Sequence, residues 1–391
     1  MKANSKPKVS VVMPSLNVAK YIRQCVDSVC NQTLKDIEII FVDAGSTDGT
    51  LEILEEYLRA DPRTKLIRSA KKSYGYQINL GFDAANGEYL GIIETDDYAD
   101  PEMFEALYKK AIENDLDVVK SGFYYYYSVG GERNIPNPIV SETMAKRVFC
   151  PTTDFHSKRE LTDFFNIKPT IWSALYRRSF LYKNGIRLNE TPGASYQDAS
   201  FNFMVWTVAQ RVQLLPECFV HYRQDNEASS INSPGKVYCI CDEYDVMRQF
   251  LDKHPVQKGI LEPVLYRIMY DSYCWNYERL EKSLQDEFVV RFHEDFVKAN
   301  TEGKLDKDYF EWFRWEMLRL VIETPDEFQR KVQCDKEGIA FVPSASAYQG
   351  KENIGRRLCR LFRKGIHSIR YCGVSYTIRR TIWKIGKKVQ K

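Results

Sequence analysis

The sequence has no apolar run approaching the eighteen residues that a membrane-spanning helix requires, and its mean hydropathy is −0.44, so no spanning segment is expected. Its basic start, Met1 to Lys8, is not followed by the apolar stretch of a secretory signal, and export by that route is not expected. The ten cysteines are scattered without a single C-x-x-C pair, which points to reduced, packed thiols of a cytosolic compartment. Cys239 and Cys241 lack neighbouring His or Cys partners, so they are not read as a metal site. No repeat of fixed period is present, which sets aside solenoids and propellers. The first strand runs into Pro14-Ser15-Leu16-Asn17 and not into G-x-G-x-x-G, which argues against a dinucleotide-dependent oxidoreductase.

What is present is ordinary globular composition: 391 residues, 44% apolar and 28% charged, room for about two or three domains and a sizeable core. Charge becomes informative once divided. Residues 351–391 carry thirteen Lys/Arg against one acid, Glu352, while the whole chain nets only +3. A mildly acidic body therefore carries a strongly basic end.

Short apolar runs alternate with helical spacing through the first hundred residues. Lys8 to Pro14, Glu38 to Asp43, Lys65 to Arg68 and Tyr89 to Ile93 read as buried strands; Tyr21 to Asn31, Leu51 to Leu58 and Gln77 to Ala85 read as helices. This alternation predicts an α/β fold with a mostly parallel sheet flanked by helices. A helix over Glu102 to Asn114, a strand over Asp117 to Ser121, an aromatic run Phe123 to Tyr127 and a loop from Gly130 to Ser141 follow, and strict alternation is lost. From Tyr238 to about Arg330 the pattern is helical and aromatic-rich.

In an open α/β sheet, ligands bind beyond the carboxyl ends of the strands. Asp43 ends the second strand, Glu94-Thr95-Asp96-Asp97 follows the fourth, and Pro14-Ser15-Leu16-Asn17 follows the first. Clustered carboxylates repel unless a cation or ligand sits among them, which favours Mg²⁺ or Mn²⁺. The competing reading makes Asp96 or Asp97 a cap for the helix near Pro101.

The ordered series Ser10 to Asn17, Val42-Asp43-Ala44-Gly45-Ser46-Thr47-Asp48-Gly49-Thr50, Gly87-Glu88-Tyr89 and Glu94-Thr95-Asp96-Asp97 resembles glycosyltransferase family 2, as do Trp172 to Arg178, Gln197-Asp198 and Tyr222 to Asn226 with Ser229-Ser230. The resemblance covers residues 7 to 235. It implies a GT-A fold and an inverting, metal-dependent transfer from a nucleotide sugar, UDP first, to a glycan or lipid-linked glycan in bacterial surface polysaccharide assembly. It places Asp198 as general base. Pro14, Ser15, Asn17, Asp43, Gly75, Asn79, Glu94, Asp96 and Arg223 fall at the donor, and Lys71, Lys72 and Tyr74 on the same loop. Asp96 and His221 fall at the metal, and Trp172 and Gln197 at the acceptor. Ala44, Ile78 and Gln197 depart from the family pattern and keep a catalytically inactive sugar-binding or scaffold protein as the alternative.

Residue chemistry leaves structural alternatives: a helix cap for Asp43 or Asp198, core packing for Trp172 and His221, and solvated side chains for the lysines. The expected organisation is a catalytic domain over 1–235, with a nucleotide-sugar half 1–105 and an acceptor half 106–235, a helical subdomain 236–342, a linker 343–350 and a basic tail 351–391. Leu358, Leu361, Phe362, Ile366 and Ile369, then Ile378, Ile382, Ile385 and Val389, recur at helical spacing among the basic residues. That is the signature of a helix lying on an anionic membrane, preferred here over nucleic acid or docking on the acidic body. The expected location is cytoplasmic, peripheral at the inner face of the cell membrane.

Overall fold

A computed structural model describes residues 6–140, 142–194, 196–226 and 236–343. The basic tail 351–391, the linker beyond Pro343 and the pair Ser229-Ser230 lie outside the described residues. The chain divides into a compact unit, residues 1–322, and a second unit from Glu323 onward.

The first unit opens with β1 (Val9–Ser15), α1 (Ile22–Cys30), β2 (Ile37–Asp43), α2 (Thr50–Ala60), β3 (Thr64–Arg68), α3 (Tyr74–Ala84) and β4 (Tyr89–Ile92). β3, β2, β1 and β4 lie side by side, all parallel, with Ser15 opposite Asp43 in register. Every residue of β1 and β2 is buried, as strands covered on both faces must be, and this explains their unbroken Val/Ile runs. Fully burying an Ile, Val or Phe side chain contributes about 1.5–3 kcal/mol, so Val11, Val12, Ile39, Ile40 and Phe41 anchor this half.

Next come β5 (Tyr98–Ala99), α4 (Met103–Glu113), β6 (Val118–Tyr127), β7 (Arg133–Asn137), α5 (Glu142–Ala145), α6 (Lys158–Phe165), α7 (Arg178–Lys183) and α8 (Gln197–Val208). The short strand Ala174–Arg177 joins β4 to β6 antiparallel at the centre of the nine-stranded sheet, and the long strand Val212–Arg223 pairs parallel with β6 and antiparallel with β5. The α/β sheet flanked by helices is thus present, parallel in its first half and mixed in its second.

Two local differences from the sequence reading have plain causes. The strand 117–121 and the aromatic run 123–127 are one strand, β6, because Gly122 lets the chain pass Cys218 and Pro138 where a Cβ would lie within 3.0 Å of both. The polar loop 130–141 holds β7, an exposed edge strand whose Pro136 is tolerated there because an edge has no outer partner to bond.

α9 (Cys239–Asp252), α10 (Pro255–Arg279), α11 (Lys282–Thr301) and α12 (Trp312–Glu323) continue the chain. The first three pack as an aromatic-lined bundle in which Tyr273 meets Phe288, Phe292 and Phe296. This bundle seats on the α/β half: Asn189 and Ser200 donate to Glu243 of α9, and Lys158 pairs with Asp306 and Asp308. In the second unit, α13 (Pro325–Glu337) ends at Gly338, whose φ of 71° gives the left-handed turn that glycine adopts without strain. Among the described residues no helix is long and apolar enough to cross a membrane.

Candidate functional site

The carboxyl edge of β1, β2 and β4 gathers the predicted donor-side residues. Asp43 is buried and saturated: Oδ1 accepts from the Gly45 and Ser46 amides, and Oδ2 accepts from the Ser15 hydroxyl at 2.9 Å and the Ser46 hydroxyl at 2.6 Å. Its carboxylate thus builds the turn after β2. Asn17, at φ 54°, ties the two loops together, its amide donating to Ser46 Oγ and its Oδ1 accepting from Thr47. The Pro14 carbonyl accepts from the Thr95 hydroxyl, which fixes the acidic turn against β1.

That turn, residues 94–97, holds three carboxylates. Neither Asp96 nor Asp97 caps the following helix, whose capping position is Glu102. Glu94 accepts from Tyr74 Oη at 3.1 Å, and its pKa is pushed up to about 8, by burial first and then by Asp96 and Asp198. Asp96 accepts from Asn226 at 2.9 Å. Asp97 lies inward; burial, Asp96 and Glu94 raise its pKa, one oxygen accepts from the Arg223 amide, and the other is buried with no hydrogen-bond partner among the described residues. Arg223 closes the turn from behind. Its guanidinium donates to the Asp96 carbonyl and to Gln24, and lies over the rings of Tyr21 and Tyr126 at 4.7 and 4.8 Å.

Asp198 stands in the first turn of α8. Burial pushes its pKa up to about 6, while the amides of Ala199 and Asp198, Lys168 and Lys120 restrain the rise. Lys168 holds its ammonium 4.5 Å from the Tyr222 ring and 5.2 and 5.3 Å from Tyr125 and Phe123; this desolvation lowers its pKa while Asp198, Asp97 and Glu94 act in the opposite sense. Lys120 is fully buried, donates to the Thr170 carbonyl and to Ser173 Oγ, and is pushed down to about 7 by burial. One electrostatic cluster therefore joins Glu94, Asp96, Asp97 and Asp198 to Lys168, with Tyr222 exposed to the charge of all four acids. Sequence reasoning passed over both lysines. Lys120 sits in an apolar strand and Lys168 in a loop, and only the fold brings them to Asp198.

Several expected roles are corrected by the contacts. Both ring nitrogens of His221 are engaged, Nε2 with Asp100 at 2.9 Å and Nδ1 with Asn134 at 2.7 Å, and the ring is stacked on Tyr98 and Tyr124, so it offers no lone pair to a metal. Trp172 is only 5% exposed, packed against Phe123 and Tyr222, and cannot present a face to an acceptor sugar. The close approach that Gly75 permits is to the chain itself: a Cβ there would lie 1.9 Å from the Asn189 carbonyl oxygen. Asn79 clasps the same strap through both backbone groups of Leu188. Lys71 pairs with Glu190, and Gln197 donates to Thr191 and Gly193, so these residues seat the 188–193 strap on α3 and α8.

A divalent cation fits this edge in a particular way. Among the described residues no three His, Cys, Asp or Glu side chains converge as a ready-made metal cage. The orphaned Asp97 oxygen and the raised Glu94 show negative charge with too few compensating partners. A cation held by one or two carboxylates and chiefly by substrate phosphates matches that donor set.

The arrangement has the GT-A fold. A solved structure of S. aureus TarS, residues 1-349 in complex with UDP, aligns with 88% of this chain and 95% of its own at a TM-score of 0.63 and 20% identity, and a second, in complex with UDP-GlcNAc, aligns at 0.54 and 18%. Residues 10–184 match the profile of the family described as Glycosyl transferase family 2. Among curated relatives, the uncharacterized glycosyltransferase EpsJ of Bacillus subtilis is 34% identical over 225 residues, 56% of this chain and 62% of its own length. Glycosyltransferase GlyG of Streptococcus pneumoniae is 34% identical over 149 residues, 36% of this chain and 50% of its own. The chain thus spans between 50% and 62% of the length of these two relatives.

Proposed function

We propose that this protein is an inverting glycosyltransferase that moves a sugar from a nucleotide sugar, UDP-linked first, to a glycan or lipid-linked glycan in surface polysaccharide assembly. The observation that carries the reading is the position of Asp198 in the first turn of α8, with its pKa restrained at about 6 and its charge within electrostatic reach of Lys168 and of Glu94 in the acidic turn. A base poised just below neutrality is ionised at working pH yet still accepts a proton in the transition state. The acceptor hydroxyl attacks the anomeric carbon while its proton passes to Asp198. The sugar–phosphate bond breaks on the opposite face, and its electron pair leaves with the diphosphate.

Asp96, with Glu94 beside it, would hold Mn²⁺ or Mg²⁺, which supplies positive charge for the leaving diphosphate when bound. Asp43, Ser15 and Asn17 fix the loops that receive the nucleotide. Arg223 keeps the acidic turn in place, and the 188–193 strap, seated by Gly75 and Asn79, borders the donor side. The basic tail keeps the enzyme on the inner face of the cell membrane, near a lipid-linked acceptor. Replacing Asp198 by Asn tests the assignment: transfer falls by about a hundredfold or more while UDP affinity stays within a factor of two. Unchanged turnover contradicts the assignment of Asp198 as the base, and a protein that binds sugar with no turnover in either form favours a scaffold.

A further inference from the structure

The sequence left two matters open: what the helical segment after residue 235 contributes, and which aromatic surface meets the acceptor once Trp172 is found buried. A second tryptophan answers both. Trp275 of α10 is 46% exposed, although α10 otherwise buries its aromatic residues Tyr266, Tyr270, Tyr273 and Tyr277. Its ring meets Tyr196 edge-on at 5.5 Å. Arg279, one turn along, is anchored by Asn276 and the Lys236 carbonyl, and its guanidinium lies over both rings, 5.4 Å from Trp275 and 5.5 Å from Tyr196.

Tyr196 stands two residues before Asp198, and it is unusual twice. Its backbone lies in the left-handed region at φ 65°, which a bulky residue adopts at a cost, and strain of this kind collects at ligand sites. Its hydroxyl is buried with no hydrogen-bond partner among the described residues. The charge of Asp198 acts on it, which places the ring within electrostatic reach of the base.

We propose that Trp275, Tyr196 and Arg279 form an acceptor subsite for a pyranose ring, so that the helical bundle completes the acceptor side of the catalytic centre. The apolar C–H face of a pyranose stacks on an indole, a guanidinium donates to ring hydroxyls, and an orphaned phenol supplies one more polar partner. The assignment of this surface to the acceptor rests on the transferase reading; its capacity to bind a sugar does not.

The test uses the full chain and two separate measurements. Saturation-transfer NMR is recorded with four probes: the methyl glycosides of glucose, galactose, mannose and N-acetylglucosamine. At least one probe receives saturation from the wild-type protein, and its Kd weakens roughly five- to tenfold in Trp275→Ala. Trp275→Phe restores part of the loss, Tyr196→Phe weakens the same probe, and Phe313→Ala, removing an exposed aromatic of α12, leaves it unchanged. Absence of saturation for all four probes, or equal saturation in Trp275→Ala, overturns the subsite. UDP calorimetry on the same preparations reads the donor site alone. Failure of UDP to bind beside a Trp275-dependent sugar contact counts against the transferase reading and leaves the subsite standing.

Discussion

The pH dependence of turnover tests the chemistry of Asp198 most searchingly, because the structure assigns that carboxyl an unusual value and names its neighbours. An ordinary aspartate is almost fully ionised by pH 5, so a base of that kind gives a flat profile between pH 5 and 7. With a pKa pushed up to about 6, roughly one eleventh of Asp198 is ionised at pH 5 and ten elevenths at pH 7, so kcat/KM rises about tenfold across that interval. Lys168 restrains the rise. Replacing it by Met removes a cation beside the carboxylate, and the inflection moves upward by roughly half a unit or more. The assay is release of the nucleotide from its sugar donor at fixed Mn²⁺, from pH 4.5 to 8, with UDP affinity followed over the same range to separate binding from proton transfer. An inflection near pH 4, or one that stays in place when Lys168 is changed, refutes the argument that burial and this lysine set the base.

Two further outcomes follow from the packing. In Gly75→Ala the new methyl meets the Asn189 carbonyl oxygen, so the 188–193 strap must lift; overpacking of this kind costs about 1–3 kcal/mol, read as a lower urea midpoint and faster proteolysis near Glu190. Glu94 has a folded-state pKa of about 8, above the ordinary value of about 4.5, so the folded protein holds that proton more tightly than the unfolded chain and stability falls as pH rises through this window. Glu94→Gln removes that dependence, and in chelator its stability relative to wild type increases by about 2–4 kcal/mol between pH 4.5 and 9 by urea titration; an unchanged difference contradicts the assigned environment.

Much of the fold was legible because its first half obeys simple periodicity. β1 and β2 are buried on both faces, so their apolar runs are unbroken, and the polar turns after them must lie at one edge of the sheet. The acidic turn and Asp198 stood out as candidates by residue type and order. Their neighbours were not. Lys120 looks like an interruption in an apolar strand, and its closeness to Asp198 depends on the central antiparallel strand that joins β4 to β6. His221 and Trp172 are chemically able to bind a metal or a sugar, and only their contacts show that Asp100, Asn134, Phe123 and Tyr222 have already claimed them. Gly75 and Asn79 were read as donor-side residues, and their approach to the 188–193 strap was hidden because that segment lies more than a hundred residues further along the chain.

The central claim is a nucleotide diphosphate site built on the acidic turn, and calorimetric titration of UDP addresses it most directly, with Mn²⁺ and then with chelator, in the wild type and in Asp96→Ala. The account predicts metal-dependent UDP binding that chelator weakens by at least tenfold and that Asp96→Ala abolishes, with dTDP and GDP binding more weakly. No binding of any nucleotide in the presence of metal, or UDP binding indifferent both to chelator and to Asp96, contradicts it.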